Sequence, residues 1–224
     1  MREIILDTET TGLSPAQGHR IVEIGCIELV HKKPTGKTFH QYINPQRDVP
    51  ARSTEITGLT EEFLKPFPIF TQIVDNLIDF IGDDMLVIHN APFDMSFLNA
   101  EFEWAKKPVL HKSRATDTLI MARKKFPGSP ASLDALCKRF NIDLSKRDKH
   151  GALLDAELLY HVYIELLGGR QRTLAFDLEN SAEIIHANTA IVNFPQRSFS
   201  VSTEEEMLHK EFISTIQNAR WNEK

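Results

Sequence analysis

A change of hydrophobic period near residue 60 constrains this chain more than any other feature. Three apolar runs come first, EIILDTE (3–9), RIVEIGCIELV (20–30) and KTFHQYINP (37–45). The second alternates, Ile21, Glu23 and Gly25 against Val22, Ile24 and Cys26, with the two-residue period of a strand. Short, turn-rich links make these three strands antiparallel neighbours. The spacing then becomes helical. Phe70, Ile73, Val74, Leu77, Ile78 and Ile81 predict a helix that ends at Gly82. MLVI (85–88) reads as a short buried strand, and Pro92 suits the first turn of a helix running to about Trp104. Asp117 caps a predicted helix over 118–126, Ser132 one over 133–140, and the longest helix covers 152–167 before Gly168-Gly169. Strands first, then a strand among helices, predict an α/β fold with helices on the faces of a mixed sheet.

The apolar run of EIILDTE ends in two acids, Asp7 and Glu9. Residues i and i+2 of a strand share a side, so both carboxylates face one place. Hydrogen bonds to backbone donors or a nearby Arg or Lys would settle two such acids, so the chemical reading needs further acids. HNAPFDMSFL (89–98) supplies Asp94 in the first turn of a helix, flanked by Phe93 and Phe97. Complementing the helix dipole is the plain alternative there, but strand ends that lead into helices are also where α/β sheets place chemistry. HGALLDAELL (150–159) adds His150 and Asp155. Five residues rotate by roughly 140° along a helix, so the two cannot share a helix face. With Asp155 facing inward, His150 belongs to the loop before the helix, where Gly151 allows movement. An imidazole beside a carboxylate suits proton transfer, whereas a surface or capping role is the bland reading. Four carboxylates and a histidine match hard, oxygen-ligated ions such as Mg²⁺ or Mn²⁺, and two such ions are a known device for attack of water on a phosphodiester.

The formal net charge of -5 argues against gripping nucleic acid by bulk electrostatics, though bound cations invert that logic inside an acidic cleft. No apolar run approaches the roughly 18 to 20 residues of a membrane span, and the N-terminus has no secretory pattern. Cys26 and Cys137 lie in apolar patterns and read as buried free thiols in a reducing cytoplasm. Residues 170–196 are polar and weakly patterned, which reads as a flexible linker after a domain over 1–169. Residues 197–224 read as a short strand and a helix, with Thr203 and Glu206 as its capping box. Their apolar side chains, including Phe199, Val201, Met207, Leu208, Phe212 and Trp221, either pack back on the domain or dock on a partner.

DTETTGL (7–13), HNAPFDMSFL and HGALLDAELL together resemble the three motifs of the DEDD 3′–5′ exonuclease superfamily, in its histidine-bearing branch, over about residues 3–167. SKRDKHGALLDAELLYHVYIELLGGR and FPQRSFSVSTEEEMLHKEF are similar to the third-motif helix and the polymerase-binding segment of epsilon-type proofreading subunits of bacterial DNA polymerase III. The resemblance implies a ribonuclease H-like sheet and two divalent ions, Mg²⁺ or Mn²⁺. Asp7 would bridge both ions, Glu9 and Asp155 would complete one shell, Asp94 would hold the second ion partly through water, and His150 would take the proton of the attacking water. Thr10, Thr11, Gly12 and Leu13 would seat the 3′-terminal nucleotide, with Asn90 near the same pocket and Gly58 and Leu59 of ITGLT flanking the terminal base. Thr57 stands where epsilon-type sequences often carry histidine, and no role is assigned to it. Asp117 matches a common family acid, but capping already accounts for it. The implied partners are a single-stranded or frayed DNA 3′ end and, through residues 197–224, the polymerase alpha subunit, with a small accessory subunit left open. The implied function is proofreading that releases 5′-monophosphates. A 3′ exoribonuclease of the oligoribonuclease or RNase T type is the competing enzyme, and the extra tail weighs against it. A scaffold without activity is the competing class, and the presence of all five site residues weighs against that.

Overall fold

A computed structural model describes residues 1–145, 147, 149–169 and 200–216. Its centre is a five-stranded mixed sheet. Strands β1 (Arg2–Thr10), β2 (Ile21–Val30) and β3 (Lys33–Tyr42) are consecutive and antiparallel, as their links predict. β4 (Met85–Ile88) and β5 (Ala115–Asp117) add in parallel on the other side of β1, giving the order β3-β2-β1-β4-β5.

Alternation along β1 decides where the helices sit. Ile4 and Leu6 join a core with Phe70, Leu77, Phe97, Leu98 and Phe102, from α3 (Phe70–Ile81) and α4 (Ala91–Trp104). Ile5 points the other way and packs with Ala156, Leu159 and Tyr163 of α7 (Ala152–Leu166). α5 (Thr118–Lys125) and α6 (Leu133–Arg139) back α7 through Ala122, Leu136, Cys137, Leu158 and Val162. Each large apolar side chain so buried contributes roughly 1.5–3 kcal/mol, so both faces of the sheet are firmly held. Asp117 caps α5 by accepting from the Leu119 N–H, and Ser132 caps α6 through the Ala135 N–H. Both cysteines are free and buried.

Two short helices and β5 have no counterpart in the sequence pattern. α1 (Ala51–Thr57) buries only Ser53 and Thr57, so it carries no apolar stripe to betray it. α2 (Glu61–Leu64) is a single capped turn.

The chain divides into two compact units, Met1–Leu174 and Ala175–Lys224. Of the second, the described part is a helix, α8 (Thr203–Ser214). Its capping box uses Ser202 and Glu205, one residue earlier than the Thr203–Glu206 frame. STEEE satisfies the Ser/Thr-x-x-Glu spacing in both frames, so spacing alone could not choose between them. Residues 200–202 form no strand, and the rest of the expected strand lies outside the described residues, as do the 170–196 linker and Trp221.

Candidate active site

The C-terminal end of β1 collects the acids. Asp7 pairs in register with Gly25 and Glu9 with Glu23. Past the short parallel pairing with β4, the Thr8 N–H would lack a ladder partner. Asp94, in the first turn of α4, fills that place. Its Oδ1 accepts from the Thr8 N–H at 3.1 Å and from the Thr8 hydroxyl at 2.7 Å. Asp155 is buried in the first turn of α7, and His150 lies on the loop just before that helix, as the five-residue spacing requires. One ligand atom each from Glu9, His150 and Asp155 lie within 4.8 Å of one another.

The crowding of these charges is costly. Burial, with the charges of Asp94, Glu9 and Asp155 added, pushes the Asp7 carboxyl well above its ordinary range. Burial and the charge of Asp155 push Glu9 up to about 8. Asp94 is pushed up to about 7 by burial, against the lowering effect of the Thr8 hydrogen bonds. The donors are oxygen-rich and short of positive charge, which fits hard divalent cations.

A cavity of about 600 Å³ adjoins the acids and is lined by Thr10, Thr11, Gly12 and Leu13. The turn is fixed from below. The Thr11 N–H donates to the Arg20 carbonyl at 2.9 Å, the Arg20 N–H returns a bond to the Thr11 hydroxyl at 3.0 Å, and Thr11 Oγ1 contacts His19 Nδ1 at 3.1 Å. Gly12 lies so close to the His19 ring that a Cβ there would displace it. Arg20 is in turn clamped to buried Glu101 of α4 by bonds of 2.7 and 2.6 Å. Leu13 stands at the rim, a large apolar side chain that is 84% exposed.

The structure does not bring every expected residue to this cavity. Gly58 is the left-handed C-cap of α1, and Leu59 is buried beside Val22 and Leu64. Thr57, given no role from sequence, lines the cavity instead. Asn90 is the left-handed N-cap of α4, its N–H donating to Asp117, and it is not among the lining residues. His150 is tied rather than free: its N–H donates to the Ile56 carbonyl at 3.1 Å, and its Nδ1 lies 2.9 Å from Arg147 Nη2. α1 thus joins the two halves of the site, since Ser53 Oγ also donates to the Thr10 carbonyl at 2.8 Å. Two residues not singled out by sequence enter the cluster. Glu23 is a fifth buried acid, bonded to His40 Nε2 at 2.7 Å, and its place in the β2 alternation opposite Glu9 was the available signal. Arg147 grips Asp155 with two bonds, and its only sequence signal was a cation three residues before His150.

The family model described as Exonuclease matches residues 4–163. The DNA polymerase III subunit epsilon of Rickettsia felis is 52% identical over 223 residues, covering 96% of this chain and 97% of the relative. The subunit of the same name from Escherichia coli K12 is 40% identical over 228 residues, covering 96% and 93%. Among solved structures, the nuclease domain of 3′hExo, a DEDDh family member bound to rAMP, superimposes with a TM-score of 0.64 at 21% identity, covering 74% of this chain and 91% of that one. Exonuclease X in complex with 5′-overhanging duplex DNA gives 0.59 at 24% identity, covering 74% and 90%. These two agree with the mixed sheet and flanking helices described above. The chain belongs to the exonuclease family and, within it, to the DNA polymerase III epsilon subunits.

Proposed function

We propose that this chain is the proofreading 3′–5′ exodeoxyribonuclease of its replicative polymerase, with Asp7, Glu9, Asp94 and Asp155 as metal ligands and His150 as the base. The observation that carries the reading is the convergence of Glu9, His150 and Asp155 within 4.8 Å beside a nucleotide-sized cavity. Two divalent ions, Mg²⁺ or Mn²⁺, would supply the Lewis acidity that makes hydroxide from water and stabilises the departing 3′ oxygen. The Thr10–Leu13 turn seats the terminal nucleotide, with Leu13 against its base. His150 accepts the proton of the attacking water. A mismatched end frays and reaches the cavity sooner, so selectivity needs no reading of sequence. Equal amounts of 3′-mismatched DNA primer and RNA of the same sequence discriminate the readings. Preference for DNA is expected, and a strong preference for RNA would overturn the deoxyribonuclease assignment in favour of an exoribonuclease.

The raised acids make metal binding visible in stability. Glu9 and Asp94 titrate near 8 and 7 when folded, against roughly 4 when unfolded. Their contribution to metal-free stability is therefore full below pH 4 and is lost as pH rises through 7 and 8. Saturating Mg²⁺ or Mn²⁺ should raise Tm by about 5–10 °C, corresponding to roughly 2.7 kcal/mol at a hundredfold excess over Kd. Thermal melts with and without metal should show a larger rise at pH 8 than at pH 6. An equal rise at both would disconnect the metal from these carboxylates.

The C-terminal segment, 197–224, is proposed to bind the polymerase alpha subunit. Leu208 and Phe212 lie four residues apart on one side of α8, and both are exposed, as are Met207, Val201 and, beyond the helix end, Ile216. Tethering supplies local concentration that an acidic nuclease lacks by charge alone. Deleting 197–224 should leave exonuclease rates within about twofold and abolish co-purification with alpha. Unfolding of the truncated protein would instead make the tail part of the core. The cytoplasm is the proposed setting, supported by the two free buried thiols. No helix among the described residues is long and apolar enough to cross a membrane.

A further inference from the structure

Arg147 enters the acid cluster from the loop ahead of His150. Its side chain is only 8% exposed, unusual for a cation on a connecting loop. The guanidinium meets Asp155 as a fork, Nε to Oδ1 at 2.6 Å and Nη2 to Oδ2 at 2.7 Å, and a third nitrogen reaches Asp134 of α6. The same Nη2 lies 2.9 Å from His150 Nδ1.

The fork engages both oxygens of the carboxylate, so Asp155 cannot offer either one freely to a cation while Arg147 holds it. His150 Nδ1 lies 3.2 Å from the same Asp155 Oδ2, so the three side chains are drawn together around one carboxylate.

We propose that Arg147 is a positioning residue that acts as a latch on Asp155, its guanidinium fork competing with a divalent cation for that carboxylate. The proposal rests on Asp155 being a metal ligand. Arg147 also lowers the charge cost of leaving the cluster without metal, since it opposes the upward push on Asp7 and Glu9. An apparent Kd is weakened in proportion to the rarity of the competent state, so the latch sets how much metal the site needs to fill.

Calorimetric titration of Mn²⁺ into the full chain tests this. Arg147→Gln should bind Mn²⁺ on the order of tenfold more tightly than wild type, and Asp134→Asn, which loosens the anchor, should shift Kd the same way by less. Should Arg147→Gln fail to fold, Arg147→Lys, which keeps the charge but not the fork, is expected to tighten binding by a smaller factor. Binding by wild type as tight as by the folded variants would overturn the latch while leaving the metal site intact. Failure of wild type and variants alike to bind Mn²⁺ would overturn both.

Discussion

Asp7→Asn should lose at least about 10³-fold in hydrolysis while making the metal-free protein harder to unfold. Asp7 occupies the middle of the cluster, with Asp94, Glu9 and Asp155 all raising the cost of its charge. An amide of the same shape removes that charge without leaving a cavity. The metal-free variant should therefore gain about 1–3 kcal/mol at pH 8, the usual scale for relieving an uncompensated buried polar group. The same exchange removes one of the four proposed metal ligands. Opposite movements of stability and activity separate a functional acid from a structural one. Thermal melts at pH 8 in chelator, paired with exonuclease assays in Mg²⁺, read both. Activity within tenfold of wild type would remove Asp7 from the mechanism, and a large loss of stability would make it a structural group.

Gly25→Ala should be the most damaging exchange of a single methyl. Gly25 sits across the β1–β2 ladder from Asp7. A Cβ there would lie closer than any real contact to the backbone of Ala152 and Leu153, the first residues of α7. No flexible side chain can yield, so either the strand or the helix must move. The helix carries Asp155 and follows directly on His150, and a displacement of about 1 Å at such a centre costs on the order of a hundredfold in rate. We expect a loss of roughly 1–3 kcal/mol from overpacking together with weaker Mn²⁺ binding. Denaturant unfolding and metal titration on the same preparation measure the two losses. Wild-type stability and affinity in Gly25→Ala would show that α7 does not need this close approach.

The contrast between Gly25 and the acids shows what the amino-acid order makes legible. Helices α3 and α7 announce themselves because their buried residues recur at helical spacing, and β1 and β2 because they are apolar runs bounded by turns, so the DTE and His-x4-Asp motifs are anchored to legible elements. Gly25 sits in a regular alternation that gives no hint of the helix pressed on it. α1 buries no large apolar side chain, so the bridge it forms between the Thr10 carbonyl and the His150 backbone is invisible until the fold is assembled. At its C-terminal end Gly58 closes the turn, Leu59 joins the core and Thr57 lines the cavity, a division that no spacing in ITGLT announces. Arg147 reaches Asp155 across eight residues of loop and helix start, a contact that depends on loop shape rather than spacing. Periodic burial is a property of one segment, whereas these contacts are properties of two.

Product analysis on a 5′-labelled DNA primer with a 3′-terminal mismatch, in Mg²⁺ and in chelator, tests the central claim most directly. Stepwise shortening from the 3′ end, release of 5′-mononucleotides, faster loss of the mismatched than the matched terminus, and no reaction in chelator are the predicted results. Internal cleavage, 3′-phosphate products or undiminished activity without divalent metal would contradict the account.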